Sequence, residues 1–546
     1  MFMLRTLGSN ISRKVYQTTP TLFRATLVRG KVSLAGLDSS HIKEQRQQSF
    51  LENGIEPYPR FIDSDEPFLQ IPEVFDKWES KLEKGMKLEE ESFTVAGRIL
   101  SKREASSKLV FYDILQNGNT LQAVATRRYF EGDSEDFAKV NKILHRGDIV
   151  KITGIPGKTN TGQMSVFITK ELELLSPCLH DLPLHTGLKE PEKRFRNRHL
   201  DLLVNRETAD ILRSRAKIIQ FIRKYFDSRS FLEVETPILS PKAGGAIARP
   251  FTTKANALGD LDMHLRIAPE LYLKQLVIGG IDRVYEIGKQ FRNEGIDADH
   301  NPEFTTCEFY QAYANMEGLF KTTEDILSGV VYEVKKSHTV EVLGPNDEKV
   351  EIDFKPPYNR IYIIDELEKQ LATKLPPFND ESIQQYIDLC LEHKVPLTKP
   401  YTIPRILDKL VSHFIEPMCV QPTFLCGHPL IMSPLAKAID KERGITGRFE
   451  LFVVGKEVVN AYEELNDPED QRSRFNQQLR DRNSGDIESQ LPDDAFCDAL
   501  EYGLPPTGGW GMGIDRVCAL ITGVSHIRET LAFPTMKPIT TPVDKE

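Results

Sequence analysis

Arg283-Val-Tyr-Glu-Ile-Gly-Lys-Gln-Phe-Arg292 runs into Asn293-Glu-Gly-Ile-Asp-Ala-Asp-His-Asn-Pro302 and then into Glu303-Phe-Thr-Thr-Cys-Glu-Phe-Tyr310. The first and third segments have the apolar spacing of strands, and the polar middle, with its glycine and proline, predicts a loop. In a strand, residues two apart share a face, so Phe304, Thr306, Glu308 and Tyr310 are expected side by side. A face carrying a carboxylate, a phenol and an aromatic ring packs poorly and suits a ligand. Arg292 offers a planar fork for bidentate contact with a phosphate. Glu294 can accept a hydrogen bond from an adenine amine, His300 can meet a distal phosphate, and Phe304 can stack on a purine. A lone arginine beside a turn is usually a solvated charge and a lone phenylalanine is usually core. Specificity lies in the order and spacing of the set.

Outward from this stretch the chain divides by pattern. Its 546 residues suffice for two or three domains. Residues 38–91 read as a charged helical segment interrupted at Pro57 and Pro59. Between residues 92 and 178 five short strand-like runs, separated by turn signals such as Asn117-Gly118-Asn119, predict a small β-barrel. Residues 179–205 form a basic linker, and a helical pattern from Arg206 to Asp227 opens the remainder, 206–546. There the section from Glu317 to Met418 reads as helices with a hairpin near Val340–Phe354.

Three separated segments together resemble the class II aminoacyl-tRNA synthetases. Phe291-Arg-Asn-Glu294 with His300-Asn-Pro-Glu-Phe304 looks like their motif 2, and Gly511-Met-Gly-Ile-Asp-Arg516 like motif 3. The long helix ending in Phe231-Leu-Glu-Val-Glu-Thr-Pro237 looks like motif 1, the dimer-forming motif of the class. Gly511-x-Gly513 alone would suggest a dinucleotide loop, but the third glycine and the βαβ context are missing. Gly244-Gly-Ala-Ile-Ala-Arg-Pro-Phe251, Leu265-Arg-Ile-Ala-Pro-Glu-Leu-Tyr-Leu-Lys274 and Asn460-Ala-Tyr-Glu-Glu-Leu-Asn466 narrow the likeness to lysyl-tRNA synthetases, from about Asp38 onward. The fold implied is α+β: an N-terminal OB-fold barrel for the anticodon, then a class II catalytic domain with an antiparallel sheet flanked by helices.

The resemblance implies roles. Arg292 would hold the α-phosphate and the lysine carboxylate. Glu294 would read adenine between Phe304 and Arg516, with His300, Asn301, Gly513 and Asp515 also contacting ATP. Gly245 and Glu270 would take the substrate α-ammonium and Asn460 its carboxylate. Glu450 and Glu457 would hold Mg²⁺, as hard oxygen ligands do. Asn460, Tyr462 and Glu464 alternate on one face, and Glu464 would pair with the lysine ε-ammonium beside Tyr310, Tyr462 and Glu308. In the barrel, Phe111 would stack on an unpaired uridine while Arg103 and Gln122 bond base edges. Bacterial relatives carry an arginine before the motif 2 histidine; here it is Asp299, so another cation or Mg²⁺ is expected at the γ-phosphate. Implied partners are L-lysine, ATP, tRNA(Lys) and a second copy of the chain.

Bulk properties constrain the rest. The net charge is −10, so contact with tRNA must use local patches. The seven cysteines include no C-x-x-C pair, which supports neither a zinc site nor a disulfide framework. No run of about 18 apolar residues appears, so no membrane span is expected. Residues 1–37 hold six Lys and Arg and no Asp or Glu, a composition that predicts a mitochondrial presequence and a matrix address. Two other functions fit parts of the pattern. A sister ligase for aspartate or asparagine would need a cation where Glu464 stands. A non-catalytic tRNA-binding paralogue would show damage at Arg292, Glu450, Glu457 or Arg516, and all four have the right chemistry.

Overall fold

The computed structural model describes residues 40–538, apart from 63–64, 185, 243, 247, 345–347, 484, 486–488 and 490. The basic leader, residues 1–37, lies outside the described residues. The chain forms two compact units, residues 1–182 and 183–546.

In the first unit, strands β1 (Phe93–Ser106), β2 (Leu109–Gln116), β3 (Asn119–Thr126), β4 (Ile149–Lys158) and β5 (Met164–Ser176) close into a barrel in the order β1-β2-β3-β5-β4. Alternation is the cause: Val110, Tyr112 and Ile114 point inward with Leu121, Ala123, Ile152 and Val166, and the residues between them face out. Asn117 and Gly118 both have positive φ, 46° and 84°, which is the turn that lets β2 fold straight back on β3. The charged segment before the barrel is less helical than its pattern predicts. Among the described residues of this segment two helices form, α1 (Ser40–Asn53) and α2 (Ile71–Trp78); Trp78 turns inward to pack on Phe93 and donates to Glu91 at 2.8 Å. Arg46 of α1 meets Asp148 at 2.9 Å in a buried ion pair. A further helix, α3 (Ser134–Ile143), lies between β3 and β4, where the strand count does not anticipate one; Asp133 caps it by accepting from the Glu135 and Asp136 amides.

In the second unit the basic linker folds into two short helices, Pro191–Arg196 and Arg198–Val204. Helix α4 (Arg206–Asp227) then buries Ile211, Ile218, Ile222 and Phe226 along one stripe. An eight-stranded sheet forms from β6 (Leu232–Glu233), β7 (Arg283–Phe291), β8 (Glu303–Ala312), β9 (Asn359–Tyr362), β10 (Thr423–Cys426), β11 (Arg448–Val453), β12 (Lys456–Glu463) and β13 (Thr507–Gly513). Its order is β9-β10-β11-β12-β13-β8-β7-β6, antiparallel except for the pair at each edge. The hairpin foreseen near Val340–Phe354 is present as Thr339–Leu343 against Lys349–Asp353.

The sheet has two unlike faces. Tyr285, Cys307, Phe309, Trp510 and Met512 point into a core with α4, α6 (Met316–Lys335) and α7 (Ile514–Thr522). Rings stack there, Phe309 on Trp510 at 5.2 Å and Phe226 on Tyr285 at 4.8 Å, and the Trp510 indole donates to Thr323 at 2.9 Å. The opposite face carries Phe304, Thr306, Glu308 and Tyr310 of β8, with α5 (Glu270–Ile278) beside it.

Candidate functional site

Hairpin β7–β8 pairs Glu303 with Phe291 and Gln311 with Arg283, so Arg292 and Phe304 leave the two strands side by side. β8 also pairs with β13, setting Thr306 against Gly513, Glu308 against Gly511 and Tyr310 against Gly509. Glycine is a poor strand residue, but this strand needs it. A Cβ at Gly509 would run into Glu464 Oε1 and the Tyr310 ring. The chain's backbone thus approaches the ligand face where side chains would fill it.

The result is a cavity of about 440 Å³, lined by every candidate residue of this unit except Glu464. Its two ends differ in charge. At one end stand Arg292, Arg516 and His300. The Arg292 guanidinium lies 5.1 Å from the Phe304 ring centre, its Nε is buried without a hydrogen-bond partner, and among the described residues it has no ion pair. Burial pulls its pKa down, against the pull of Glu294 and Glu457. A half-buried guanidinium whose inner nitrogen has no partner and which pairs with no carboxylate can take an anion. Arg516 donates to the Glu457 carbonyl at 2.8 Å and sits 3.1 Å from His300 Nε2, whose Nδ1 faces Asp297 at 2.9 Å. Asn301 is buried and donates to the Glu303 carbonyl at 2.6 Å. Glu294 is exposed on the loop. Asp515 faces the protein: Oδ2 accepts from the Thr305 amide at 2.8 Å and Oδ1 lies 2.5 Å from Arg215, which ties α4 and α7 to β8.

At the other end carboxylates gather. Glu308 accepts from Thr306 at 3.3 Å and Tyr310 at 3.4 Å; burial and the nearby Glu270 push its pKa up to about 8, despite Arg292. Gly245, at φ 85°, leaves open the space beside Glu270, whose Cβ would be 3.1 Å from a Cβ added there. Glu270 Oε2 accepts from the Tyr462 hydroxyl at 2.7 Å, and its Oε1 meets Lys274 at 2.6 Å. Glu464 is buried just beyond β12, ion-paired with Lys274 through one oxygen, while Oε1 has no partner.

Between the ends, Asn460 Nδ2 donates to Glu450 at 3.2 Å and Glu457 at 3.3 Å. Burial raises the Glu450 pKa, but His428 at 3.2 Å and Arg448 at 2.6 Å overcome it and hold the carboxyl at about 2. Glu457 is shifted upward by burial and by Glu450. Two carboxylates sharing one amide donor fit a hard divalent cation that completes its shell with phosphate oxygens and water. Among the described residues no group of three metal-binding side chains forms a closed site.

Four contributors receive no role from the sequence: Arg448, His428, Lys456 and Lys274, the last of which closes a segment that carries the resemblance. Lys456 lies 2.6 Å from Asp299 and returns a positive charge to the place where Asp299 removes one. Lys274 also had a local signal, its spacing of four from Glu270 on a helix whose other buried residues are apolar.

On the barrel, Arg103, Phe111 and Gln122 come together on the outer face. Register places Arg103, Phe111, Val124, Phe167 and Ile155 in one cross-strand row. The neighbouring row is Ser101, Asp113, Gln122 and Ser165, with Ser165 donating to Gln122 at 3.0 Å. The Arg103 guanidinium stands 4.7 Å from the Phe111 ring. An apolar row beside a polar row offers a base both a stacking surface and edge contacts.

Comparison with known proteins agrees with this geometry. Residues 190–537 match the family described as tRNA synthetases class II (D, K and N), and residues 93–175 match the OB-fold nucleic acid binding domain. A probable cytoplasmic lysine–tRNA ligase of Encephalitozoon cuniculi is 46% identical over 497 residues, 89% of this chain and 95% of the relative. The mitochondrial lysine–tRNA ligase of Schizosaccharomyces pombe is 42% identical over 506 residues, 90% and 93%. The lysine–tRNA ligase of Bacillus subtilis is 39% identical over 502 residues, 92% and 97%.

Proposed function

The chain belongs to the class II tRNA synthetases of the aspartate, lysine and asparagine group, and its activity is that of a lysine–tRNA ligase; from this we propose that the cavity takes lysine at its carboxylate end and ATP at its cationic end. The observation that carries the assignment is that polarity. An arginine without an anion faces one way, and a buried carboxylate oxygen without a donor lies at the other end.

Lysine's ε-ammonium meets Glu464 with Tyr310, Tyr462 and Glu308 around it, and its α-ammonium meets Glu270 beside Gly245. Its carboxylate lies against Arg292 and Asn460. The adenine is read by Glu294 and sandwiched by Phe304 and Arg516, with His300, Asn301 and Gly513 along the nucleotide and Asp515 supporting the wall. The carboxylate then attacks the α-phosphorus in line, pyrophosphate leaves, and the terminal tRNA ribose hydroxyl attacks the acyl carbon of the adenylate. Arg292 and Arg516 neutralise charge gathering on the phosphates, and the fixed geometry supplies proximity. No side-chain nucleophile is needed. Glu450 and Glu457 would hold Mg²⁺, which when bound screens phosphate charge. Lys456, held at Asp299, is the added cation for the γ-phosphate.

The barrel reads the anticodon through Phe111, Arg103 and Gln122, supported by the paired rows on its outer face. Two copies associate through the α4–β6 region, where Leu232, Ile238 and Leu239 are exposed. Mitochondrial service is supported by the acid-free leader and by the fission-yeast relative's name. Amino-acid-dependent pyrophosphate exchange tests the chemistry: lysine should support it, and exchange with aspartate or asparagine alone would refute the assignment. A monomer in sedimentation would remove the dimer, and a diffuse cytosolic signal from a reporter fused to residues 1–37 would remove the mitochondrial address.

A further inference from the structure

Glu270 and Glu464 bring two carboxyl groups together in a buried place, 4% and 1% exposed. Lys274 lies between them, itself wholly buried, its ammonium 2.6 Å from Glu270 Oε1 and in contact with Glu464 Oε2. The rings of Tyr462 and Phe496 stand 5.8 and 5.7 Å from the same nitrogen. Buried charges of this kind persist only when paired. One ammonium against two carboxylates leaves the cluster one positive charge short. The deficit has a position: Glu464 Oε1 has no hydrogen-bond partner and borders Gly509, which lines the cavity. Lys274 does not line the cavity; its ion pairs are with Glu270 and Glu464.

We propose that Lys274 is a specificity-determining positioning residue: its ammonium fixes Oε2 of Glu464, favours the ionised carboxylate, and so leaves Oε1 as the acceptor for the side-chain ammonium of a substrate entering the cavity. The inference rests on the assignment of Glu464 to the substrate side chain. Burial, with Glu270 and then Glu308, holds the Glu464 pKa well above the ordinary carboxylate range, and Lys274 is the cation that opposes this rise. Without Lys274 two carboxylates face each other with no cation, and one takes a proton. A protonated Glu464 offers an ammonium no charge. The groups facing this pair are Glu270 on its own helix, Glu308 and Tyr310 of β8, and Tyr462 of β12, with Arg448 the next cation felt by Tyr462.

Pyrophosphate exchange on the full chain with Lys274→Met, Lys274→Gln and Lys274→Arg tests it. Met and Gln should raise the KM for lysine ~10-fold or more and leave the KM for ATP within ~2-fold. In both, the lysine KM should fall as pH rises from about 6.5 to 8.5, since deprotonation of Glu464 restores the acceptor. Arg should recover most of the lysine affinity. A lysine KM within ~2-fold of wild type in a folded Met or Gln variant overturns the proposal, as does a parallel rise in both KM values without pH dependence. If Met does not fold, Gln, which keeps a donor toward Glu270 but no charge, gives the same two answers. Glu464→Gln separates the two readings. If it leaves lysine affinity intact, the substrate assignment fails; if it destroys lysine affinity while the Lys274 variants do not, only the positioning role fails.

Discussion

At Asp299 the chain puts an anion beside His300 and Arg516, where the proposed phosphate site calls for positive charge. Lys456 answers it from β12 at 2.6 Å. The lysine is 44% exposed, so its attraction is screened and modest. Lys456→Ala should therefore raise the KM for ATP about 3- to 10-fold at low salt, with a smaller effect at high salt and none on the KM for lysine. An unchanged ATP KM at low salt would remove Lys456 from the site. Placement on the cavity wall was legible where chemistry and spacing coincide, as at Arg292, Glu308 and Tyr310. Lys456 was not, because its partner lies 157 positions away and no local pattern joins them. Lys274 was hidden differently: its helix reads as ordinary core, and only the fold brings Glu464 onto its ammonium.

Strands and their register do more than the residues announce. The five barrel strands follow from alternation and turn signals, but the pairing of rows across them needs register, which alternation alone does not fix. Helix α3 was missed for a related reason, since a ten-residue polar helix between strands resembles a long loop until its cap is seen. In the sheet, Gly511 and Gly513, which alone would suggest a dinucleotide loop, lie in a strand, and at Gly509 of that strand Glu464 and Tyr310 occupy the space a side chain would take. The apolar row on the barrel yields a prediction at this scale. Removing a base-stacking ring costs about 1–3 kcal/mol, so Phe111→Ala should weaken tRNA binding roughly 5- to 150-fold. Lysine-dependent pyrophosphate exchange, which needs no tRNA, should not change. Unaltered tRNA affinity would take Phe111 off the RNA surface.

Across the whole molecule, the two units divide the work by the chemistry of their surfaces. The barrel has an interior filled by side chains and carries Arg103 and a half-buried Phe111 over a buried outer row of Val124, Phe167 and Ile155, whereas the larger unit opens one face of its sheet into a cavity. Net charge, −10, gave no hint of RNA; in the proposed reading the contact falls to local groups such as Arg103. The order of motifs along the chain was legible and sufficed for the family. The interior electrostatics were not, since they arise from burial that sequence does not display. The central claim is that Glu464 reads the lysine side chain at one end of the cavity while ATP binds at the other. Steady-state pyrophosphate exchange with Glu464→Gln tests it most directly. The KM for lysine should rise ~100-fold or more, as expected for a lost charge-assisted bond in a buried site, with the KM for ATP within ~2-fold of wild type. Unchanged lysine affinity, or equal loss toward both substrates, would contradict it.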